Sequence, residues 1–158
     1  MSFKIFSFLC IASLVGCTIT PKEAERAVIK DNVTEIIFHE SHELKKQSAP
    51  FSDIVQVGNM YFLSGQIGMD HSTRTLVEGG IEAETIKTLE NIKAVLQQHD
   101  MTMENVVKAL VILDDITDFA TFNTIYKEYL PQKPARTTFA AEALAVGAKI
   151  EIEVIAVK

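Results

Sequence analysis

The stretch VVKALVILDDITDFATFNTIYKEYLPQKPARTTFAAEAL, Val106 to Leu144, changes its hydrophobic period twice. VVKALVILD is apolar at nearly every position, which suits a strand buried on both faces in the interior of a sheet. In TDFATFNTIYKEYL, Phe119, Phe122 and Tyr126 recur at helical spacing, which predicts a helix with those rings on its inner face and Thr117 or Asp118 as its cap. ARTTFAAEA then returns to a period of two. Arg136, Thr138, Ala140 and Glu142 share one face of that strand, and Thr137, Phe139, Ala141 and Ala143 the other. Strand, helix and strand in succession put the chain in the mixed α and β class.

The flanking sequence extends the pattern. TEIIFHE, Thr34 to Glu40, reads as a first strand, and DIVQVGNMYFLSGQ as two strands joined at Gly58-Asn59. In IEAETIKTLENIKAVLQQHD a stripe of Ile86, Leu89, Ile92, Val95 and Leu96 opposes Glu84, Lys87, Glu90 and Lys93, predicting a long helix whose charged side faces water. AKIEIEVIAVK closes the chain as a last strand. The order ββ(β)αβαββ predicts an α+β fold, one mixed sheet with two helices on one face. The other face is left uncovered and apolar, which implies that copies of the chain pack into a closed homo-oligomer.

Composition narrows the function. A chain of 158 residues, 47% apolar, suits one domain plus a leader. A formal charge of −6 and the lack of any dense Lys/Arg run argue against nucleic acid as a partner. Cys10 and Cys17 are the only cysteines, so the domain has no disulfide, thiol nucleophile or thiolate metal site. Residues 1–17, MSFKIFSFLCIASLVGC, carry Lys4 and an apolar run from Ile5 to Val15 that is shorter than the roughly 20 residues of a membrane-spanning helix. They read as an export signal. Leu14-Val15-Gly16-Cys17 resembles a bacterial lipobox, which implies lipidation of Cys17 and a membrane anchor at the cell envelope. Thr18, where an aspartate would signal inner-membrane retention, points to the periplasmic side of the outer membrane. Residues 18–33 are polar, with Pro21, and read as a tether reaching on the order of 50 Å. The domain occupies residues 34–158.

Arg136 is the anomaly in this domain. A guanidinium stays charged and presents five donors, so a half-buried one needs an anionic partner. A hairpin of the last two strands that opposes Thr138 to Glu151 would set Arg136 opposite Glu153 and diagonal to Glu151 at roughly 7 to 8 Å. The partner is then either Glu153, as a structural ion pair, or a bound ligand, and the residues alone leave both open. Asn123, on an inward helix face, is an amide that must find partners. His39 and His42, three apart near a strand, fall on opposite faces and do not suggest a metal site. Asp114, Asp115 and Asp118 crowd a strand-to-helix turn, where capping accounts for them. SGQIG, Ser64 to Gly68, is a loop whose glycines let backbone approach a ligand.

Taken in order, GNMYFLSGQIG, TLENIKAVLQQ, DFATFNTIYKEYL, PARTTFAAEAL and KIEIEVIAV resemble the RidA family, also called YjgF, over residues 34–158. The resemblance implies a chorismate-mutase-like fold and a homotrimer with sites between subunits. The implied chemistry is hydrolysis of 2-imino acids and their enamine tautomers, such as 2-iminopropanoate and 2-aminoacrylate, to 2-keto acids and ammonia, without metal or cofactor. Arg136 would then bind the substrate carboxylate and Glu151 would activate water. Gly65 and Thr138 would line the cleft, and Ser64 and Asn123 would order it. Phe51 stands where the family usually has a tyrosine, keeping the ring and losing the hydroxyl, and Thr138 where a cysteine is common. A second reading keeps the same fold as a non-catalytic small-carboxylate binder or envelope assembly protein.

Overall fold

The computed structural model describes residues 34–158. The export signal, Cys17 and the tether lie outside the described residues. Strands β1 (Ile36–His39), β2 (Ile54–Val57) and β3 (Met60–Ile67) are followed by a short hairpin of β4 (Met69–Asp70) and β5 (Thr75–Leu76). Helix α1 (Gly80–Gln97), strand β6 (Val106–Leu113), helix α2 (Phe119–Tyr129), β7 (Ala135–Ala140) and β8 (Ile150–Val157) complete the domain.

Gly58, at φ 60, supplies the left-handed backbone that lets β2 turn into β3, with Val57 opposite Met60 as the hairpin signal implied. Six strands form one sheet in the order β1-β2-β3-β8-β6-β7. Only β6 and β7 pair in parallel, joined through α2; the other neighbours are antiparallel. Strand β6 is interior, as its two-sided apolar pattern predicts. The supposed hairpin of the last two strands does not form, because β6 lies between β7 and β8. The reason is burial: Ile150, Ile152, Val154 and Ala156 are at most 1% exposed, and such a strand is stabilised by a neighbour on each edge.

Alternate residues of the sheet (Ile54, Leu63, Ala109, Val111, Ile152, Val154) join Leu89, Ile92 and Leu96 of α1 and Phe122 and Tyr126 of α2 in one core. Both helices therefore cover one face. On the other face Ile36, Phe38, Phe62 and Phe139 are 38–69% exposed, the uncovered apolar surface that the element order implied.

Local expectations fail at two places. Glu84 does not face water: it is buried, and its carboxylate accepts a 2.8 Å hydrogen bond from the backbone N–H of Lys149, while Ile86 is the exposed member of the stripe. A backbone donor compensates the buried carboxylate. Asp118 takes the N-cap position of α2, but neither its side chain nor that of Thr117 makes a capping hydrogen bond. The Asp115 carboxylate accepts from the Thr117 N–H at 2.8 Å and caps the 3₁₀ turn Ile116–Asp118 that leads into the helix.

Candidate functional site

Arg136 stands on β7, an edge strand, in register with Ala109 and through it with Val154. Laterally paired residues point to one side of a sheet, and both partners are buried in the core, so Arg136 lies on the helix-covered face. Its Nη1 donates to Asn123 Oδ1 at 2.9 Å. Its guanidinium carbon sits 4.6, 5.1 and 5.6 Å from the ring centroids of Tyr126, Phe122 and Phe119. The helical spacing of the three rings thus forms a cation–π cradle, with Asn123 on the same helix bracketing the fork. Phe119 is only partly inside, at 39% exposed.

Glu153 is not the partner of Arg136. It pairs in register with Leu110, on the open face of the sheet. Among the described residues no carboxylate lies within ion-pair distance of Arg136. Two residues along the same face, Thr138 Oγ1 is buried with no hydrogen-bond partner. Burial pushes the Tyr126 phenol above its ordinary pKa, an effect partly opposed by the Arg136 charge. This half of the site is a half-buried cation, held by neutral groups, beside an unsatisfied hydroxyl.

Glu151 occupies the other face. It is in register with Ile67 and Ile112, between the buried Ile150 and Ile152. Its carboxylate fills the space above Gly65: a Cβ on Gly65 would stand 2.9 Å from Glu151 Cδ and 3.0 Å from Cγ. Burial raises the Glu151 pKa above the usual carboxylate value, and the Glu153 charge raises it further. A carboxyl tuned upward accepts a proton more readily than an ordinary carboxylate. It lines a cavity of about 280 Å³ together with Gly65, Phe51, Lys46, His71 and Arg74. Phe51 is 56% exposed and borders a second cavity on the β1–β2 side, where Ser64 also lies. The Ser64 hydroxyl donates to the Ser52 carbonyl at 2.7 Å, so it orders the loop that carries Phe51.

Lys46, His71 and Arg74, which line the cavity with Glu151, do not stand out in the sequence. Lys46 is buried, its ammonium 3.2 Å from Asp53 Oδ1 and 3.3 Å from Gln66 Oε1, and Asp53 also accepts from the Ser41 hydroxyl at 2.5 Å. His71 is held near pKa 4 by burial, reinforced by the charges of Lys46, Lys87 and Arg74. Glu43 Oε2 approaches His71 Nδ1 to 2.9 Å, but without hydrogen-bond geometry. Burial also raises the Glu43 pKa, an effect opposed by the charges of Lys46, Arg74 and Lys87. In LKKQS and DHSTR these residues pattern as solvated loop, and nothing local distinguishes Lys46 from Lys45. His39 and His42 do not diverge: both rings pack edge-on to His99, with centroids 4.5 and 6.1 Å away, because the chain leaves the strand after His39. Among the described residues no group of His, Cys, Asp or Glu has the arrangement of a metal site.

The two halves do not meet within one chain. Arg136, Thr138 and Asn123 lie on the helix side at the β7 edge, whereas Glu151 and Gly65 lie on the open face. The diagonal separation expected of Arg136 and Glu151 is replaced by opposite sides of the sheet.

Known proteins resemble this domain in sequence and fold. The family model described as Endoribonuclease L-PSP matches residues 41–158. The human 2-iminobutanoate/2-iminopropanoate deaminase is 43% identical over 110 residues, covering 69% of this chain and 80% of that protein. A RutC family protein of Pyrococcus abyssi is 40% identical over 125 residues, covering 78% and 97%. The crystal structure of the YjgF gene product of E. coli superposes with a TM-score of 0.70 at 29% identity, covering 77% of this chain and 98% of that one. The mixed sheet with two helices is the fold of these proteins, and the chain belongs to the Endoribonuclease L-PSP family, the family of RidA and YjgF.

Proposed function

We propose that this chain hydrolyses reactive 2-imino acids to 2-keto acids and ammonia, in clefts formed between copies in a homotrimer. The observation that carries the reading is the pair of half-sites: an Arg136 with no acidic partner, and an upward-tuned Glu151 carboxylate, on opposite faces of one sheet. One copy's β7 edge against another's open face would unite them and cover the apolar surface. A 2-imino acid carries a carboxylate beside an electrophilic C=N carbon, so Arg136 would clamp the first in a charge-assisted contact worth roughly 1.5 to 3 kcal/mol. Glu151 would take a proton from water as its oxygen bonds to the carbon, and pass that proton to nitrogen. The resulting carbinolamine then loses its hydroxyl proton to nitrogen through the same carboxyl. The C–N bond breaks, a C=O forms, and ammonia leaves. Gly65 and Thr138 would line the cleft, Ser64 and Asn123 would order it, and Phe51 would close it without the hydroxyl of the usual tyrosine.

The family model's name refers to ribonuclease chemistry. A net charge of −6 without a dense basic run offers RNA phosphates little to bind, which favours the small-acid reading. We further propose that residues 1–17 direct export, that Cys17 is lipidated, and that residues 18–33 tether the domain on the periplasmic side of the outer membrane. Labelled lipid would attach to the wild type and not to Cys17→Ser; equal labelling of both would remove the anchor.

The test is keto-acid formation from 2-iminopropanoate generated in situ, with semicarbazide as the competing trap, using the full chain in mild detergent. Wild type should accelerate it. Arg136→Ala should lower kcat/KM by one to two orders of magnitude, and Glu151→Gln by about 10² or more. If wild type gives no acceleration while keto acids still bind, the chain is a non-catalytic carboxylate binder.

A further inference from the structure

The Glu151 cavity continues past the groups that the hydrolysis uses. Among its other lining residues are Lys46, His71 and Arg74. Arg74 holds a φ of 65, in the left-handed region that favours glycine, and the neighbouring lining residue Val146 holds a φ of 52. Of the positive-φ residues other than glycine in the described chain, Arg74, Asp100, Lys133 and Val146, two therefore border this one cavity. Backbone strain of that kind concentrates where a side chain must be presented in a fixed place. Arg74 closes the turn between β4 and β5, its N–H donating to the Asp70 carbonyl at 2.8 Å, so the turn fixes where this exposed side chain leaves the backbone at the cavity's edge.

Its surroundings suggest what it meets there. Among the described residues the Arg74 guanidinium has neither an ion-pair nor a hydrogen-bond partner. The buried Lys46 ammonium uses two donors, on Asp53 and Gln66, and its third finds no protein acceptor. His71 Nε2 is buried and likewise unpartnered. Three cations, Lys46, Arg74 and Lys87, act on His71 and on the Glu43 carboxylate beside it, and Asp53 and Glu43 are the two carboxylates set against them, so the cluster keeps an excess of positive charge and of donors in the cavity that Glu151 also lines. A ligand that ran from Glu151 toward Arg74 would find its far end matched by a second anion.

We propose that Arg74, with Lys46 and His71, forms a second anion-recognising end of the Glu151 cavity, and that the substrates this chain prefers are 2-imino dicarboxylates. The inference rests on the deaminase reading for its chemistry and on the cavity for its specificity: the α-carboxylate goes to Arg136, the C=N carbon to Glu151, and the side-chain carboxylate to Arg74.

The test compares kcat/KM of the full chain for 2-iminosuccinate and 2-iminopropanoate, generated in situ by flavin oxidases from aspartate and alanine with catalase present. Wild type should favour the dicarboxylate by about tenfold, and Arg74→Gly, which also relieves the backbone, should lower that ratio by about tenfold. Lys133→Gly, at another exposed basic residue of positive φ (57) that does not line the cavity, should leave the ratio unchanged. Equal efficiency on both acids overturns the inference, as does a ratio unaffected by Arg74→Gly or equally lowered by Lys133→Gly. Calorimetric binding of 2-oxoglutarate against pyruvate separates the two claims. If neither imine is turned over but 2-oxoglutarate binds about tenfold tighter in an Arg74-dependent way, the deaminase reading fails and the second anion site stands. If neither keto acid binds, both fail.

Discussion

Replacing Gly65 with alanine tests the position of the Glu151 carboxylate by a single methyl group. Gly65 has no positive φ, so alanine suits its backbone. The new Cβ would stand 2.9 Å from Glu151 Cδ and 3.0 Å from Cγ. The nearest atom, Glu151 Oε1, would overlap the new methyl outright, so to regain contacts of about 3.5–4.0 Å the carboxylate must retreat by about 1 Å or more. A displacement of that order at a proton-transferring group lowers turnover by roughly 30- to 100-fold, about 2 to 2.7 kcal/mol of transition-state stabilisation. Stability should barely move. Gly→Ala at a compatible φ gains about 0.4–1 kcal/mol through the unfolded chain, and a shifted glutamate rotamer costs about 0.5–1.5 kcal/mol. Initial rates on 2-iminopropanoate, with a thermal melt of the same preparation, read both quantities. Rates within threefold of wild type at an unchanged Tm would refute the claim that the carboxylate above Gly65 is the group that handles protons. A collapsed Tm would instead refute the inference that the glutamate alone yields.

Other perturbations probe the rest of the site. Glu151 must be ionised to accept a proton, so activity should fall as pH drops through its raised pKa; Glu153→Gln removes one cause of the rise and should move that acid limb to lower pH, and an unmoved or opposite limb contradicts the coupling. Asn123→Ala deletes the amide that brackets Arg136 and should raise KM for the imino acid about tenfold with little change in kcat, leaving the aromatic cradle in place; an unchanged KM would mean that the rings alone hold the guanidinium. Phe122 is fully buried beneath Arg136, and Phe122→Ala should cost about 3–5 kcal/mol and lower Tm by on the order of 10–20 °C, which chemical and thermal denaturation measure.

What the sequence disclosed follows from range. The hairpin at Gly58-Asn59, the helix from Gly80 to Gln97 and the shared face of Arg136 and Thr138 are written in residues two to four apart, and periodicity reads them. The order of strands is not local. Ala135–Ala140 and Ile150–Val157 adjoin in sequence, yet β6 separates them, because the fully apolar inner face of β8 is best buried in mid-sheet. Alternation therefore told which residues of β7 travel with Arg136 but not that Glu151 points the opposite way. Buried charge is equally non-local. Lys46 and Glu84 look solvated in LKKQS and IEAET, and only the folded chain supplies Asp53 and the Lys149 N–H that make their burial tolerable. Arg74 was hidden for a further reason: its informative property is a backbone angle, which its letter does not carry.

The central claim is that Arg136 of one copy serves Glu151 of another. Arg136→Ala and Glu151→Ala chains, each retaining a tenth of wild-type activity or less, should be unfolded together, refolded as a mixture and assayed on 2-iminopropanoate. If clefts unite the two faces of different copies, random assembly restores about a quarter of wild-type activity per site, since a cleft is complete only where an intact arginine meets an intact glutamate. A mixture as inactive as its components, despite demonstrated subunit exchange, would contradict the account.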